Sequence, residues 1–354
     1  MSSRKSITIR GMRQRANRFL ACQNFEALAL LLRTPSLELL SLASNPLYDE
    51  FHIPKKNGSK RLIEDPQPKL KRIQRRLNDY LQAVYFFYRT DGAYGFLAAP
   101  VDDTEPRNIL SHAERHLGCR WLLNVDMQDF FHQVKLGQVI QLFAEEPLAF
   151  KLEMAQVLGG LCCYKGRLPM GAPTSPILSN FACLAFDERM KYFADLKGWI
   201  YTRYADDISF SSEKEIVDEQ VMEAIRQVEV LGYKLNPAKI KLYGPGDQKI
   251  VTGLIVGENE VNVPEDYSES LEQAILQLGQ IVDAKFYTVN GRGRPSAWVK
   301  ELEQQVRGKL AFASNILGTD DERIIALEME LEKALEPPEN YGPISWLDFG
   351  YDFF

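Results

Sequence analysis

Two adjacent aspartates, Asp206 and Asp207, and a third, Asp126, which ends the apolar run Trp121-Leu122-Leu123-Asn124-Val125, are the residues of this 354-residue chain whose types could do chemistry together. Like charges a few ångströms apart disfavour joint ionisation unless a cation sits between them. Three carboxylates supply the hard oxygen donors that magnesium accepts alongside water and substrate phosphates. Such a set serves two-metal phosphoryl transfer, in which one ion activates an attacking hydroxyl and both stabilise the in-line displacement. Taken alone, Asp206-Asp207 reads more readily as a turn or helix-capping pair, so the elements around it decide.

Those elements suit a catalytic role. Trp121 to Asp126 is a strand that stays apolar until its terminal carboxylate, and Trp199 to Tyr204 with Ile208 to Ser211 form two short strands about Ala205-Asp206-Asp207, a hairpin with acids at its tip. Between them a Gly/Pro-rich stretch, Gly166 to Pro176, leads into helical spacing from Ile177 to Tyr192. Glu219 to Leu231 reads as a helix ended by Gly232, and Lys249 to Val256 with Glu260 to Val263 as a strand pair. Helices follow over 268–282 and 297–317. Upstream, residues 13–44 predict two helices divided at Thr34-Pro35-Ser36; Tyr48 to Ile63 predicts a hairpin across Lys56-Asn57-Gly58-Ser59, and Leu70 to Tyr88 an amphipathic helix.

Composition bounds the partners. The chain is 45% hydrophobic and 11% aromatic, enough for a substantial core, and its net charge of -6 argues at first against nucleic acid. The distribution reverses that impression: residues 1–100 carry 17 Lys+Arg against 8 Asp+Glu. Lys55, Lys56, Lys60, Arg61, Lys69, Lys71, Arg72, Arg75 and Arg76 make either a nucleic-acid face or a solvated helix face. Five cysteines without a Cys-x-x-Cys pair, and four histidines at no zinc-ligand spacing, read as reduced structural thiols without a zinc site. No apolar run reaches about 18 residues, so the expectation is a soluble, cytoplasmic protein with no membrane partner.

Tyr204-Ala205-Asp206-Asp207 resembles the Tyr-x-Asp-Asp box of reverse transcriptases, and neighbouring motifs stand in that family's order. Asn124 to Phe131 resembles the motif carrying the first metal-binding aspartate, Gly166 to Pro176 the template- and nucleotide-positioning motif, Gly232 to Lys239 the next palm motif, and Lys55 to Ile63 the fingers motif. The resemblance implies an α+β right-hand polymerase fold. Residues 1–120 would be N-terminal helices and fingers, and 121–256 a palm with a fingers segment interleaved at about 135–165. A helical thumb would occupy 257–318 and an acidic, aromatic tail 319–354. It also implies RNA-directed DNA synthesis with two Mg2+ ions held by Asp126, Asp206 and Asp207, and deoxynucleoside triphosphate substrates. Arg61 and Lys56 (or Lys55) would clasp the triphosphate, and Gly171 would allow close backbone approach. Phe131 would exclude a ribose 2′-hydroxyl or else pack beside Phe130; Lys239 would protonate the leaving pyrophosphate or else be a surface lysine. Met170 departs from the glutamine of viral members.

Asn108-Ile109-Leu110-Ser111-His112 and Val251-Thr252-Gly253 resemble signatures of the bacterial retron branch, as does the thumb-like Arg307 to Phe312. By that resemblance the partner is a cognate structured non-coding RNA, primed from the 2′-hydroxyl of a guanosine to give a branched RNA-DNA product, in antiphage defence with a separate effector protein encoded nearby. RNA-binding residues would be Lys69, Arg72, Arg75, Arg76, Asn108, His112, Val251, Thr252 and Gly253. Other bacterial reverse transcriptases, of group II intron or abortive-infection type, and an inactive RNA-binding scaffold are the alternatives. The aromatic end, Trp346 to Phe354, packs on its own thumb or binds the effector.

Overall fold

A computed structural model of the chain describes residues 7–54, 58, 60–286 and 297–336. Lys55 and Lys56 and the tail from residue 337 onward lie outside the described residues. The elements are α1 (Ile9–Leu20), α2 (Phe25–Leu32), α3 (Ser36–Ser44), β1 (Tyr48–Pro54), β2 (Lys60–Pro66), α4 (Pro68–Tyr85), α5 (Ile109–Glu114), β3 (Trp121–Asp126), α6 (Phe130–Gln133), α7 (Leu136–Ala144), α8 (Leu152–Cys162), α9 (Ser175–Ala182), α10 (Leu184–Lys197), β4 (Ile200–Tyr204), β5 (Asp207–Ser212) and α11 (Asp218–Val230). A 3-10 turn at Pro237–Lys239 then leads to β6 (Lys241–Tyr243), β7 (Lys249–Val251), β8 (Leu254–Val256), β9 (Val261–Asn262), α12 (Glu265–Phe286), α13 (Ala297–Leu317) and α14 (Glu322–Leu335).

Contacts divide the chain into two units, Met1–Thr252 and Gly253–Phe354. In the first, helices α1, α2, α4, α7, α8 and α9 enclose a core that includes Phe19, Leu28, Leu77, Phe143, Leu158 and Phe181. A four-stranded antiparallel sheet of order β4-β5-β3-β6 covers a second core, with Val125, Met190, Ile208, Phe210 and Val228. The β1–β2 hairpin stands as a separate two-stranded sheet, paired from Tyr48–Pro66 to Pro54–Lys60. In the second unit α12, α13 and α14 share a core built on Leu278, Val306 and Ile324, and β8 pairs with β9.

Four expectations change. The N-terminal region holds three helices rather than two, because Asn24 accepts a hydrogen bond from the Ala27 amide (2.9 Å) and so starts α2 afresh. The helix expected over 177–192 is two, joined at Cys183. The strand expected over 249–256 is broken by Thr252 and Gly253, both at positive φ (49° and 84°). Finally, α14 packs into the core of α12 and α13, so the segment expected to begin the tail belongs to the helical unit, its buried Ile324, Leu327 and Leu331 covered there.

Candidate active site

β3 and β5 run antiparallel with Trp121 opposite Ser212 and, at the far end, Asp126 opposite Asp207. The apolar strand that buries Leu122, Leu123 and Val125 therefore delivers its carboxylate directly beside the hairpin tip. Tyr204 pairs with Asp207, leaving Ala205 and Asp206 as the turn, and Ala205 takes the left-handed conformation at φ 59°. The Met127 amide donates to the Asp206 carbonyl (3.0 Å), locking the turn to the end of β3. On the other side the Asn236 amide donates to the Asp126 carbonyl (2.9 Å), and Lys239 Nζ reaches Asp126 Oδ2 at 2.6 Å. Asp126, Asp206, Asp207 and Lys239 thus come together.

Their electrostatics are those of an overcrowded anionic site. Burial, and then the charges of Asp206 and Asp126, push Asp207 up to about 7. Asp206 is also raised, by burial first and by Asp126, with Lys239 and Arg61 opposing. A divalent cation would remove the cost of ionising these carboxylates together. Among the described residues no three His, Cys, Asp or Glu side chains form a metal site by themselves. The donor chemistry nonetheless fits a hard ion that completes its shell with water and phosphate oxygens.

The nucleotide-side expectations are placed unevenly. Arg61 is exposed on β2. Gly171 sits at φ 134°, where an added Cβ would lie 2.8 Å from the Glu64 carbonyl, so a glycine is required by close backbone approach to β2. Phe131 is half-buried on α6, its ring centroid 5.9 Å from Phe96 and 5.7 Å from Phe130, so that it both packs and faces outward. Phe96, in turn 6.4 Å from the Tyr204 ring, extends this aromatic wall toward the catalytic turn and carries no signal of its own in the sequence.

Several residues expected to contact RNA have partners within the fold. His112 is fully buried: Nδ1 shares a hydrogen bond with Thr252 Oγ1 (2.8 Å) and Nε2 with Thr202 Oγ1 (2.7 Å). The two retron-like signatures are therefore halves of one contact, and a buried imidazole cannot touch RNA. Asn108 caps α5, accepting from the Leu110 and Ser111 amides. Val251 is buried, and Thr252 and Gly253 form the turn after it, with Gly253 exposed. Arg76 donates to the Leu32 and Arg33 carbonyls at the end of α2 (2.6 and 3.2 Å), and Lys69 pairs with Glu38 (3.3 Å) while staying exposed. Arg72 and Arg75 are exposed on α4.

One functional cluster is invisible in the sequence. Glu64 is fully buried, accepting from Arg167 Nη1 (3.0 Å to Oε1) and the Met170 amide (3.2 Å), with His132 Nε2 3.1 Å away. It ties β2 to the Gly/Pro-rich loop and to α6, from partners up to 106 residues distant.

The family profile described as "Reverse transcriptase (RNA-dependent DNA polymerase)" matches residues 53–263. The retron Ec86 reverse transcriptase of Escherichia coli is 30% identical over 315 residues, covering 86% of this chain and 88% of that protein. The retron Mx162 reverse transcriptase of Myxococcus xanthus is 30% identical over 343 residues, covering 85% of this chain and 65% of that one. Among solved structures, a telomerase from Candida albicans in complex with a fragment of telomeric RNA aligns with TM-score 0.46 at 11% identity, over 83% of this chain and 64% of that one. With the profile spanning more than half its length and the E. coli relative covered almost throughout, the chain belongs to the reverse transcriptases, RNA-directed DNA polymerases with the right-hand fold, and among them to those of retrons.

Proposed function

We propose that Asp126, Asp206 and Asp207 hold two magnesium ions and that the chain copies a cognate structured RNA into DNA, starting from an RNA 2′-hydroxyl and leaving a branched RNA-DNA molecule. The observation that carries the catalytic part is the pairing of Asp126 with Asp207 across β3 and β5, with Asp206 in the adjoining turn. Bound magnesium supplies the charge that lets the carboxylates ionise together and activates the attacking hydroxyl. The chain's own residues do the rest. Arg61 presents a guanidinium on the fingers hairpin for the triphosphate oxygens. Phe131 blocks a 2′-hydroxyl on the incoming sugar, which selects deoxynucleotides. Lys239, held at Asp126, carries a proton at Nζ for the leaving pyrophosphate.

The retron signatures support a dedicated RNA template, which a protein reads largely by shape, phosphate and 2′-hydroxyl contacts; exposed Arg72 and Arg75 suit phosphates. Cytoplasmic action in antiphage defence with a separately encoded effector completes this reading. Primer extension on poly(rA)/oligo(dT) with dTTP and Mg2+ tests the chemistry: the wild type extends and Asp206→Asn/Asp207→Asn does not, and equal rates would refute it. Co-expression with the non-coding RNA flanking the gene tests the rest. A DNA product that keeps a branched ribonucleotide after RNase digestion is expected, and an unbranched product would remove 2′-hydroxyl priming.

A further inference from the structure

We propose that Arg203 is a positioning residue for the catalytic turn, holding the Ala205 carbonyl so that Asp206 and Asp207 present their carboxylates in one fixed geometry. The proposal rests on the reading of those aspartates as the metal-binding pair.

Arg203, the residue before Tyr204 on β4, is fully buried. Its Nε and Nη2 fork onto Asp187 of α10, at 2.7 Å to Oδ1 and 2.8 Å to Oδ2. Asp187 also accepts from Tyr201 Oη (2.7 Å) and Thr90 Oγ1 (3.0 Å), so the buried carboxylate is fully matched without the third guanidinium nitrogen. That nitrogen, Nη1, turns the other way and donates to the Ala205 carbonyl (3.0 Å) and to Asn180 Oδ1 (3.1 Å). Ala205 is the left-handed residue of the turn, a conformation that an alanine keeps only where its surroundings impose it.

The opposite side of the turn is closed by bare backbone. A Cβ on Gly95 would fall 2.6 Å from the Ala205 amide nitrogen. Asn180 joins the two sides, accepting from Arg203 through Oδ1 and donating through Nδ2 to the Gly95 carbonyl (2.9 Å). The segment bearing Gly95 is itself fixed to β4, with the Arg203 amide donating to the Gly92 carbonyl (2.7 Å) and the Tyr94 amide to the Arg203 carbonyl (2.9 Å). Arg203 and Gly95 therefore hold the two peptide planes that flank the Ala205 Cα, Arg203 at Ala205 O and Gly95 against Ala205 N. A lysine at 203 keeps a positive charge beside Asp187, but its single nitrogen lacks the planar fork that reaches both Asp187 and the turn.

The test is steady-state extension of oligo(dT) on poly(rA) with dTTP, using the full chain, for Arg203→Lys and Gly95→Ala beside Asp207→Asn. Each of the first two should lower kcat by about 100-fold, the scale of an ångström-sized misplacement. KM for dTTP should stay within about threefold, because ground-state nucleotide binding is not what the turn supplies. The Mg2+ concentration for half-maximal rate should rise in both. Gly95→Ala leaves the buried ion pair alone, so it decides the matter if Arg203→Lys does not fold. Wild-type kcat in either folded variant, or a kcat loss in proportion to the fraction unfolded by circular dichroism, overturns the proposal. If the wild type polymerises and Asp207→Asn does too, it is the reading of the aspartates that fails instead.

Discussion

Two antiparallel hairpins bring charge to this enzyme's chemistry, and they are built oppositely. In β1–β2 six of the seven β1 residues are exposed, Arg61 faces solvent, and burial begins only at the base, where Glu64 enters its cluster. In β4–β5 eight of the eleven residues are buried, with Arg203 gripping one side of the turn and two histidines behind the strands. Few buried apolar contacts mean low local opening free energy, whereas a buried and hydrogen-bonded element opens only with the whole fold. A group that clasps an arriving triphosphate gains from the first construction. Carboxylates proposed to meet metal ions at fixed distances need the second.

The largest effect that bears on this contrast is at the buried tip. Asp207→Asn should lower the extension rate by about a thousandfold, as expected when a group that organises transition-state charge is lost. Without divalent ions its Tm should rise by a few degrees, since the substitution removes a carboxylate that burial and two neighbouring aspartates destabilise. A variant that loses activity and thermal stability together would show that Asp207 serves the fold rather than the reaction.

Next comes acid, which should attack the back of the same hairpin. His116 links the two strands, Nδ1 to Ser211 Oγ and Nε2 to Thr202 Oγ1, both at 2.7 Å, and burial with a smaller contribution from Arg115 pushes it down to about 3. His112, which shares Thr202, is lowered as well, by burial and then by His116 and Arg203. A depressed histidine stays neutral in the folded chain while the unfolded chain takes up a proton, so stability falls as pH drops below the ordinary value of 6.5 and continues falling to about 3. His116 alone should contribute about 1.4 kcal/mol per pH unit across that window, measured by urea unfolding. His116→Gln should flatten the slope; an unchanged slope would place the acid-sensitive group elsewhere.

At the base of the exposed hairpin, Glu64→Gln should cost about 3 kcal/mol in urea unfolding, because Arg167 keeps a charge with no buried partner. A loss below about 1 kcal/mol would mean that solvent reaches Arg167 and that the hairpin is anchored by its backbone alone, through the Glu64 amide on the Met170 carbonyl at 2.7 Å.

How much of this was legible follows the range of the forces involved. β3, the acid-tipped hairpin and α11 could be read because apolar runs and terminal carboxylates are local patterns. The break at Cys183 could not, since apolar spacing continues through it from α9 into α10, and neither could the turn at Thr252, a β-branched residue at positive φ. His112 and Thr252 each carried a signature, yet only folding reveals that the two, 140 residues apart, share a hydrogen bond. Glu64, Asp187 and Arg203 look like surface residues in the sequence; their partners come from elsewhere in the fold, and buried charge has no periodicity.

The smallest effect tests the exposed hairpin by itself. Arg61 lies on β2 opposite Ile53 with its side chain in solvent, and its charge exerts a small pull on Asp206. Removing such a group should leave the fold untouched, so Arg61→Ala should keep Tm within about one degree of wild type. Its contribution to triphosphate binding should appear as a rise of about tenfold in KM for dTTP, the equivalent of one charge-assisted contact of about 1.4 kcal/mol, with kcat little changed. The opposite split, kcat reduced at constant KM, would mean that Arg61 acts only once the transition state forms. The exposed hairpin would then belong with the buried one as part of a single fixed apparatus, and the contrast between a yielding grip and a rigid metal seat would fall.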